Sequence, residues 1–241
     1  MAKESKQTFD VTVVGAGVAG LMLTKKLSEL GLATALIEKQ PKFAGGSSTR
    51  NEGWLHRGTY HATSIKDRAN AIQVARRCIY GHEQIKRFAP EAVEDVDLPS
   101  YALVRNPDSV AEVVSRWDEA DVLYKSILLK HLAELEPNVK IDGVAEAFQV
   151  NDVGINTRLL YRKLLTSSEK AGAKIYPGTN LVFHSPEEAE LEQNGEAQPI
   201  KSKLFVYTSG YGVRQLFESN FNITVPLRYW KSHLLVVPRL T

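Results

Sequence analysis

An α/β fold, with a parallel βαβ unit at the amino end and a smaller α+β domain, is what this sequence predicts. Three observations carry that expectation. The run Phe9 to Val14 is apolar, rich in β-branched residues, and flows straight into Gly15-Ala16-Gly17-Val18-Ala19-Gly20. Helical spacing follows through Leu21 to Leu30, and a second apolar run from Ala33 to Ile37 stops at Glu38. Beyond these, helical patterns alternate with short strand-like runs to the end of a 241-residue chain, which is length for one large domain or two small ones.

The elements are justified in order. Phe9–Val14 is a buried strand, Gly15–Gly20 a glycine turn, and Leu21–Leu30 a helix that Gly31 ends in a left-handed cap. Ala33–Ile37 is the second strand. Residues 44–53, rich in glycine and small polar side chains, are too poor in apolar residues to pack as an element and form a functional loop. From Ser64 to Phe88, Ala71, Ile72, Ala75, Cys78 and Ile79 recur at helical spacing, which predicts a long amphipathic helix with Cys78 on its buried stripe. Pro90 and Pro99 bracket a solvated acidic connection carrying Glu91, Glu94, Asp95 and Asp97. Tyr101–Arg105 follows as a strand, then helices over 110–120 and 124–135, then a helix over 157–172 with Gly172 as its stop. Lys174–Tyr176 and Leu181–Phe183 are short strands. Residues 190–202 form a hairpin turning at Asn194-Gly195, Leu204–Thr208 is one further buried strand, and Leu227–Val237 another. The domain boundaries expected from this layout are 1–88 with 150–220 for the nucleotide domain, and 89–149 with 221–241 for part of the second.

Composition removes several classes of function. Apolar residues are 43% and charged residues 24%, the ordinary globular range. Thirty basic against twenty-eight acidic residues leave a formal charge of +2, too little to imply nucleic acid or anionic lipid as a partner. No apolar run approaches the length of a membrane span, and the polar amino terminus lacks a signal peptide's apolar stretch. The single cysteine rules out an internal disulfide and fits a reducing compartment, so a cytoplasmic protein is expected. His61, His82, His131, His184 and His233 lack metal-ligand spacing, and no metal is assigned.

The glycine turn is the strongest local signal because it follows a strand and opens a helix within one Rossmann-type βαβ unit. Gly15 permits the tight turn, Gly17 lets backbone approach a pyrophosphate, and Gly20 lets helix pack on strand, so the amides of Val18 and Ala19 and the helix dipole face the anion. Glu38 falls eighteen residues beyond Gly20, at the end of the second strand. A carboxylate there accepts from both ribose hydroxyls, which disfavours NADP. Dinucleotide binding is the reading, with Lys39 beside Glu38 in the same set.

The sequence resembles the FAD-dependent oxidoreductases of the D-amino-acid oxidase superfamily. Within it the likeness is to enzymes similar to L-2-hydroxyglutarate oxidase and, more distantly, to glycerol-3-phosphate dehydrogenase. The likeness is carried by Val13 to Leu21, by Gly46-Ser47-Ser48-Thr49-Arg50-Asn51-Glu52-Gly53-Trp54-Leu55-His56-Arg57-Gly58-Thr59-Tyr60, by Glu134-Leu135-Glu136-Pro137 and by Val206-Tyr207-Thr208-Ser209-Gly210. The pattern asparagine, any, glycine, two residues, histidine, any, glycine, any, tyrosine is the most specific of these, and belongs to the hydroxy-acid branch.

The resemblance implies a glutathione-reductase-like FAD domain, with FAD as cofactor. It places Ser47, Ser48 and Asn51 along the ribityl chain and pyrophosphate, with Gly53 closing that loop. It sets His56 near the reactive face of the isoalloxazine, Leu181 where a strand backbone meets adenine, and Gly210 at the end of the strand returning under the cofactor. Three departures concern the substrate side: Glu52 and Arg57 stand where small residues are usual, and Lys231-Ser232-His233 replaces a basic, glycine, polar triplet. The family also continues past this length to a C-terminal segment that completes the substrate sheet.

The chemistry implied is removal of a hydroxyl proton from a small 2-hydroxy acid, a dicarboxylate of the 2-hydroxyglutarate kind, and hydride transfer to flavin N5 with electrons passing to oxygen or a quinone. His56 is the candidate base, and Tyr60, four residues on, is the candidate to position substrate or flavin; Arg50 and Arg57 are candidates to grip a substrate carboxylate. Alternatives are an amine or amino-acid oxidase on the same fold, a non-catalytic FAD-binding protein, and a fragment of a longer enzyme. A small-molecule substrate is expected, a peripheral quinone contact stays open, and oligomeric state is not specified.

Overall fold

Strands form here where β-branched and apolar residues run together, and helices where apolar residues recur every three or four positions. The computed structural model describes residues 6–94 and 99–228. In chain order its elements are β1 (Gln7–Val14), α1 (Val18–Glu29), β2 (Thr34–Glu38), β3 (Trp54–Leu55), α2 (Thr59–Ser64), α3 (Arg68–Phe88), β4 (Ser100–Val104), α4 (Val110–Glu119), β5 (Tyr124–Ile127), α5 (Leu129–Leu135), β6 (Glu146–Val150), β7 (Val153–Gly154), α6 (Thr157–Lys170), β8 (Lys174–Pro177), β9 (Asn180–Phe183), β10 (Glu188–Gln193), β11 (Glu196–Tyr207) and α7 (Val213–Phe221).

Two units emerge, residues 1–52 with 157–241 and residues 53–156. The first is built on a six-stranded mixed sheet in the order β8-β2-β1-β11-β10-β9. β8, β2, β1 and β11 run parallel, while β10 and β9 add antiparallel strands at one edge. A continuous run of side chains from Phe9, Val14, Ala35, Ile37, Leu191 and Ile200 fills the core. α1 packs against α6, with Leu21 and Leu164 buried, and the buried Ser168 hydroxyl donates to the Leu21 carbonyl at 3.3 Å. The hairpin turns at Asn194-Gly195 with both residues at positive φ, 52° and 85°, as a two-residue hairpin requires.

The second unit is α+β. Its three-stranded antiparallel sheet, β4-β6-β5, is covered by helices, and β3 pairs separately with β7. Trp117 is 2% exposed, donates its indole N–H to the Thr59 carbonyl at 3.0 Å and meets Phe148 edge-on. The α/β architecture with a smaller α+β unit is therefore as the sequence reads.

Four details differ from the sequence expectations. The units divide at 52/53 and 156/157, not at 88/89 and 149/150, because α2 and α3 share the apolar cluster of Trp117 and Phe148. Residues 124–135 are not one helix but β5 followed by α5. Tyr124 to Ile127 pair with β6, and Leu128 is extended. Four residues are too short for helical and strand periods to be told apart, and pairing with β6 decides. Leu204–Thr208 is not a separate buried strand. Residues through Tyr207 continue the second arm of the hairpin as β11, and Leu204 is more than half exposed. Cys78 is half-buried rather than fully enclosed. The strand expected at Leu227–Val237 and the triplet Lys231-Ser232-His233 lie outside the described residues, save Leu227 and Arg228, which are not in a strand.

Gly81 sits inside α3 with open space where a Cβ would be. Gly81→Ala is expected to raise stability by about 0.5–1 kcal/mol, because alanine loses less backbone freedom on entering a helix. Chemical denaturation of the two chains checks this.

Candidate functional site

The glycine turn between β1 and α1 has the geometry its residues require. Gly15 adopts φ +107°, and its N–H donates to the Ile37 carbonyl at 2.8 Å, tying the turn to β2. A Cβ on Gly15 would lie 2.8 Å from Ser209 Cα, and one on Gly20 would lie 1.9 Å from the Gly15 carbonyl oxygen. The Thr208 hydroxyl donates to that same carbonyl at 2.7 Å. Gly15 and Gly20 are thus demanded by packing, and Gly210, at φ +56°, lies in the turn after β11 that abuts them.

Gly17 is different: a Cβ there would meet only the Ser48 hydroxyl, at 3.3 Å. The first turn of α1 holds no acidic residue of its own, so the positive end of its dipole favours an anion there. Ser48 Oγ accepts from the Val18 amide at 3.3 Å. Asn51 donates to the carbonyls of Ser47 and Ser48 at 3.2 and 3.1 Å, bracing the short 3-10 turn that presents them. Ala19 continues the first turn of α1 beside Val18.

Glu38 reaches the same loop from the end of β2. One carboxylate oxygen accepts from the Ala16 amide and the other from the Gln40 amide, both at 2.8 Å. Each oxygen keeps a further lone pair for a ribose hydroxyl. Lys39 is exposed. Leu181 sits on β9 with its side chain buried in the sheet's core. Gly53 begins the other unit, where its carbonyl accepts from the Ile155 amide at 2.7 Å.

The unit of residues 53–156 holds a second constellation. His56 Nδ1 donates to Asp152 at 3.0 Å, and the other oxygen of that carboxylate accepts from the Arg57 amide at 2.7 Å and the Thr59 hydroxyl at 2.9 Å. Asp152 is 4% exposed. Burial alone would raise its pKa, but the hydrogen bonds from His56, Arg57 and Thr59 together hold it below the ordinary carboxylate value. An ionised Asp152 can only accept, so neutral His56 carries its proton on Nδ1 and a lone pair on Nε2. Tyr60 stacks on His56 with ring centroids 5.6 Å apart. His61 stands edge-on to both, its pKa pushed down by burial and by His56.

His56, Tyr60 and Asp152 open on a cavity of about 450 Å³ that Trp54, Tyr101 and Arg105 also line. Arg105 supplies its cationic group, with one guanidinium nitrogen donating to the Asp142 carbonyl at 3.2 Å. Arg57, a candidate from sequence, does not line the cavity: its Nε pairs with Glu83 at 3.2 Å and its side chain is mostly buried. Arg50 is exposed in the other unit. Asp152, Thr59 and Arg105 were beyond sequence reasoning. Asp152 meets His56 from 96 residues away, and the short strands on either side of it carry no periodicity that marks them in the sequence.

The family model for FAD dependent oxidoreductases, DAO, matches residues 10–241. The chain belongs to that family. Among curated relatives it is 24% identical over 231 residues to an aerobic glycerol-3-phosphate dehydrogenase of Staphylococcus saprophyticus, covering 89% of this chain and 40% of the relative. It is 29% identical over 87 residues to the mitochondrial L-2-hydroxyglutarate dehydrogenase of Arabidopsis thaliana, covering 36% of this chain and 17% of that one. The chain therefore spans less than half the length of these relatives. In fold it is similar to a dithionite-reduced L-alpha-glycerophosphate oxidase from Mycoplasma pneumoniae with FAD bound, at TM-score 0.68 and 18% identity over 89% of this chain and 57% of that one.

For this DAO-family chain the cofactor is FAD, and the residues present fit it. The first turn of α1 is free of acidic side chains, Gly17 leaves its approach open, and a carboxylate stands at the end of β2. Among the described residues no helix is long and apolar enough to cross a membrane, and no group of three or more His, Cys, Asp or Glu could hold a metal ion.

Proposed function

We propose that this DAO-family protein oxidises a small 2-hydroxy acid, a dicarboxylate of the 2-hydroxyglutarate kind, and passes the electrons to oxygen or a quinone. The observation that carries the reading is the His56–Asp152 pair at 3.0 Å on a cavity that also presents Arg105. Bound FAD supplies the two-electron acceptor. Everything else is asked of the chain. His56 Nε2 takes the substrate's hydroxyl proton, and Asp152 stabilises the imidazolium that results. Arg105 meets a carboxylate, and Tyr60 holds the imidazole plane by stacking. The cofactor set proposed is Gly15, Gly17, Val18, Ala19, Gly20, Glu38, Ser47, Ser48 and Asn51, with Lys39, Gly53, Leu181 and Gly210 as outlying members. The single cysteine supports a cytoplasmic setting.

Glycerol 3-phosphate is the second reading, favoured by the longer stretch over which the glycerol-3-phosphate dehydrogenase aligns. It has the same secondary alcohol and a phosphate for Arg105. The test is the visible flavin spectrum of the FAD-loaded chain under anaerobic L-2-hydroxyglutarate, glycerol 3-phosphate or L-proline. Bleaching by the first alone supports the hydroxy-acid reading, bleaching by the second moves the assignment, and a spectrum unmoved by all three overturns both.

If Arg105 anchors the anion, Arg105→Met is expected to raise KM for the bleaching substrate by about 10- to 100-fold, the worth of a charge-assisted hydrogen bond, with kcat little changed. Steady-state kinetics read this directly. An unchanged KM would remove Arg105 from the site.

A further inference from the structure

Tyr161, on α6, is 6% exposed, and its hydroxyl is buried without a hydrogen-bond partner among the described residues. The hydroxyl oxygen stands beside the Ser48 hydroxyl and the Val18 amide, which pull its pKa down, while its own proton meets no acceptor. A phenylalanine would fill the same space without burying a polar atom, so packing does not account for the oxygen. Ser48 Oγ already accepts from the Val18 amide, which leaves its own proton to donate elsewhere. Two hydroxyls thus converge on the first turn of a twelve-residue helix that carries no acidic side chain in that turn. Both can donate, and the helix end favours a negative charge. Burial raises the pKa of the Tyr161 phenol, against the pull of Ser48 and the Val18 amide, so the phenol keeps its proton at neutral pH.

We propose that Tyr161 is a further cofactor-binding residue, donating its hydroxyl hydrogen bond to the pyrophosphate of FAD at the N-terminus of α1. This rests on the reading that the Gly15–Gly20 loop holds the cofactor. Tyr161 has no place in the glycine fingerprint, and it reaches the loop from 141 positions beyond Gly20.

The test is Tyr161→Phe in the 241-residue chain, which keeps the ring and removes only the hydroxyl. FAD affinity is read by quenching of flavin fluorescence, ADP affinity by competition, and stability by the melting temperature of the FAD-free protein. The dissociation constants for FAD and for ADP are expected to rise by a similar factor, about tenfold, with the FAD-free melting temperature unchanged. Unchanged affinities overturn the proposal. So does a loss for FAD but not for ADP, which would put the hydroxyl on the flavin half, and so does a loss matched by a lowered melting temperature, which would make the role structural. A wild-type chain that binds neither FAD nor ADP would remove the cofactor reading itself, and this one with it.

Discussion

His56→Gln is expected to slow substrate-driven flavin reduction by about 10²–10⁴-fold, the usual contribution of a positioned general base, while leaving FAD binding intact. The two effects separate because His56 belongs to residues 53–156 and the glycine turn to the other unit. Glutamine keeps a hydrogen-bonding group near Asp152 and cannot take a proton. Asp152→Asn should cost less, about 10- to 100-fold, because it weakens a charge-assisted hydrogen bond and leaves the imidazole in place. It should also change the pH dependence. The folded-state pKa of Asp152 lies below its ordinary value, so its contribution to stability is present above the ordinary carboxylate pKa. That contribution is lost as pH falls through the lowered folded value, and the asparagine variant should lack this acid-side loss. Anaerobic stopped-flow absorbance measures the rates and thermal melts across acidic pH measure the second effect. A His56→Gln chain that reduces at the wild-type rate would sink the assignment of His56 as base.

What could be read from the sequence was the chemistry done by backbone. A pyrophosphate cradle needs bare amides at fixed spacing, so Gly15, Gly17 and Gly20 mark it within six residues, and β1, α1 and β2 follow from their own apolar periods. Asp152 leaves no such mark. It is a lone aspartate between β6 and β7, and only the fold brings it to His56. Arg57 shows the converse: it sits beside the key histidine in sequence, yet its guanidinium turns to Glu83 while Arg105, distant in sequence, lines the cavity. The sequence places residues 124–135 in one helix because Tyr124 to Ile127 is too short to declare a period, and its partner β6 lies about twenty residues on. Adjacency along the chain reported local backbone conformation well and the direction of side chains poorly.

Gly20→Ala is expected to abolish retention of FAD through purification and to lower the melting temperature of the protein itself. The added methyl would stand 1.9 Å from the Gly15 carbonyl oxygen and 2.6 Å from the Thr208 hydroxyl oxygen. Neither can yield cheaply, since Gly15 is pinned by its N–H bond to the Ile37 carbonyl and Thr208 by its bond to Gly15. Helix α1 must then move away from β1, and its first-turn amides move with it. Overpacking of this kind costs about 1–3 kcal/mol, and in a chain of this size each kcal/mol lowers Tm by about 2–4 °C. Gly46→Ala, where a methyl would meet nothing and φ is −93°, is the control and should keep both Tm and flavin. If Gly20→Ala melts as expected yet binds FAD as the wild type does, α1 does not set the cofactor site, and the pyrophosphate must be held by groups other than its N-terminal amides.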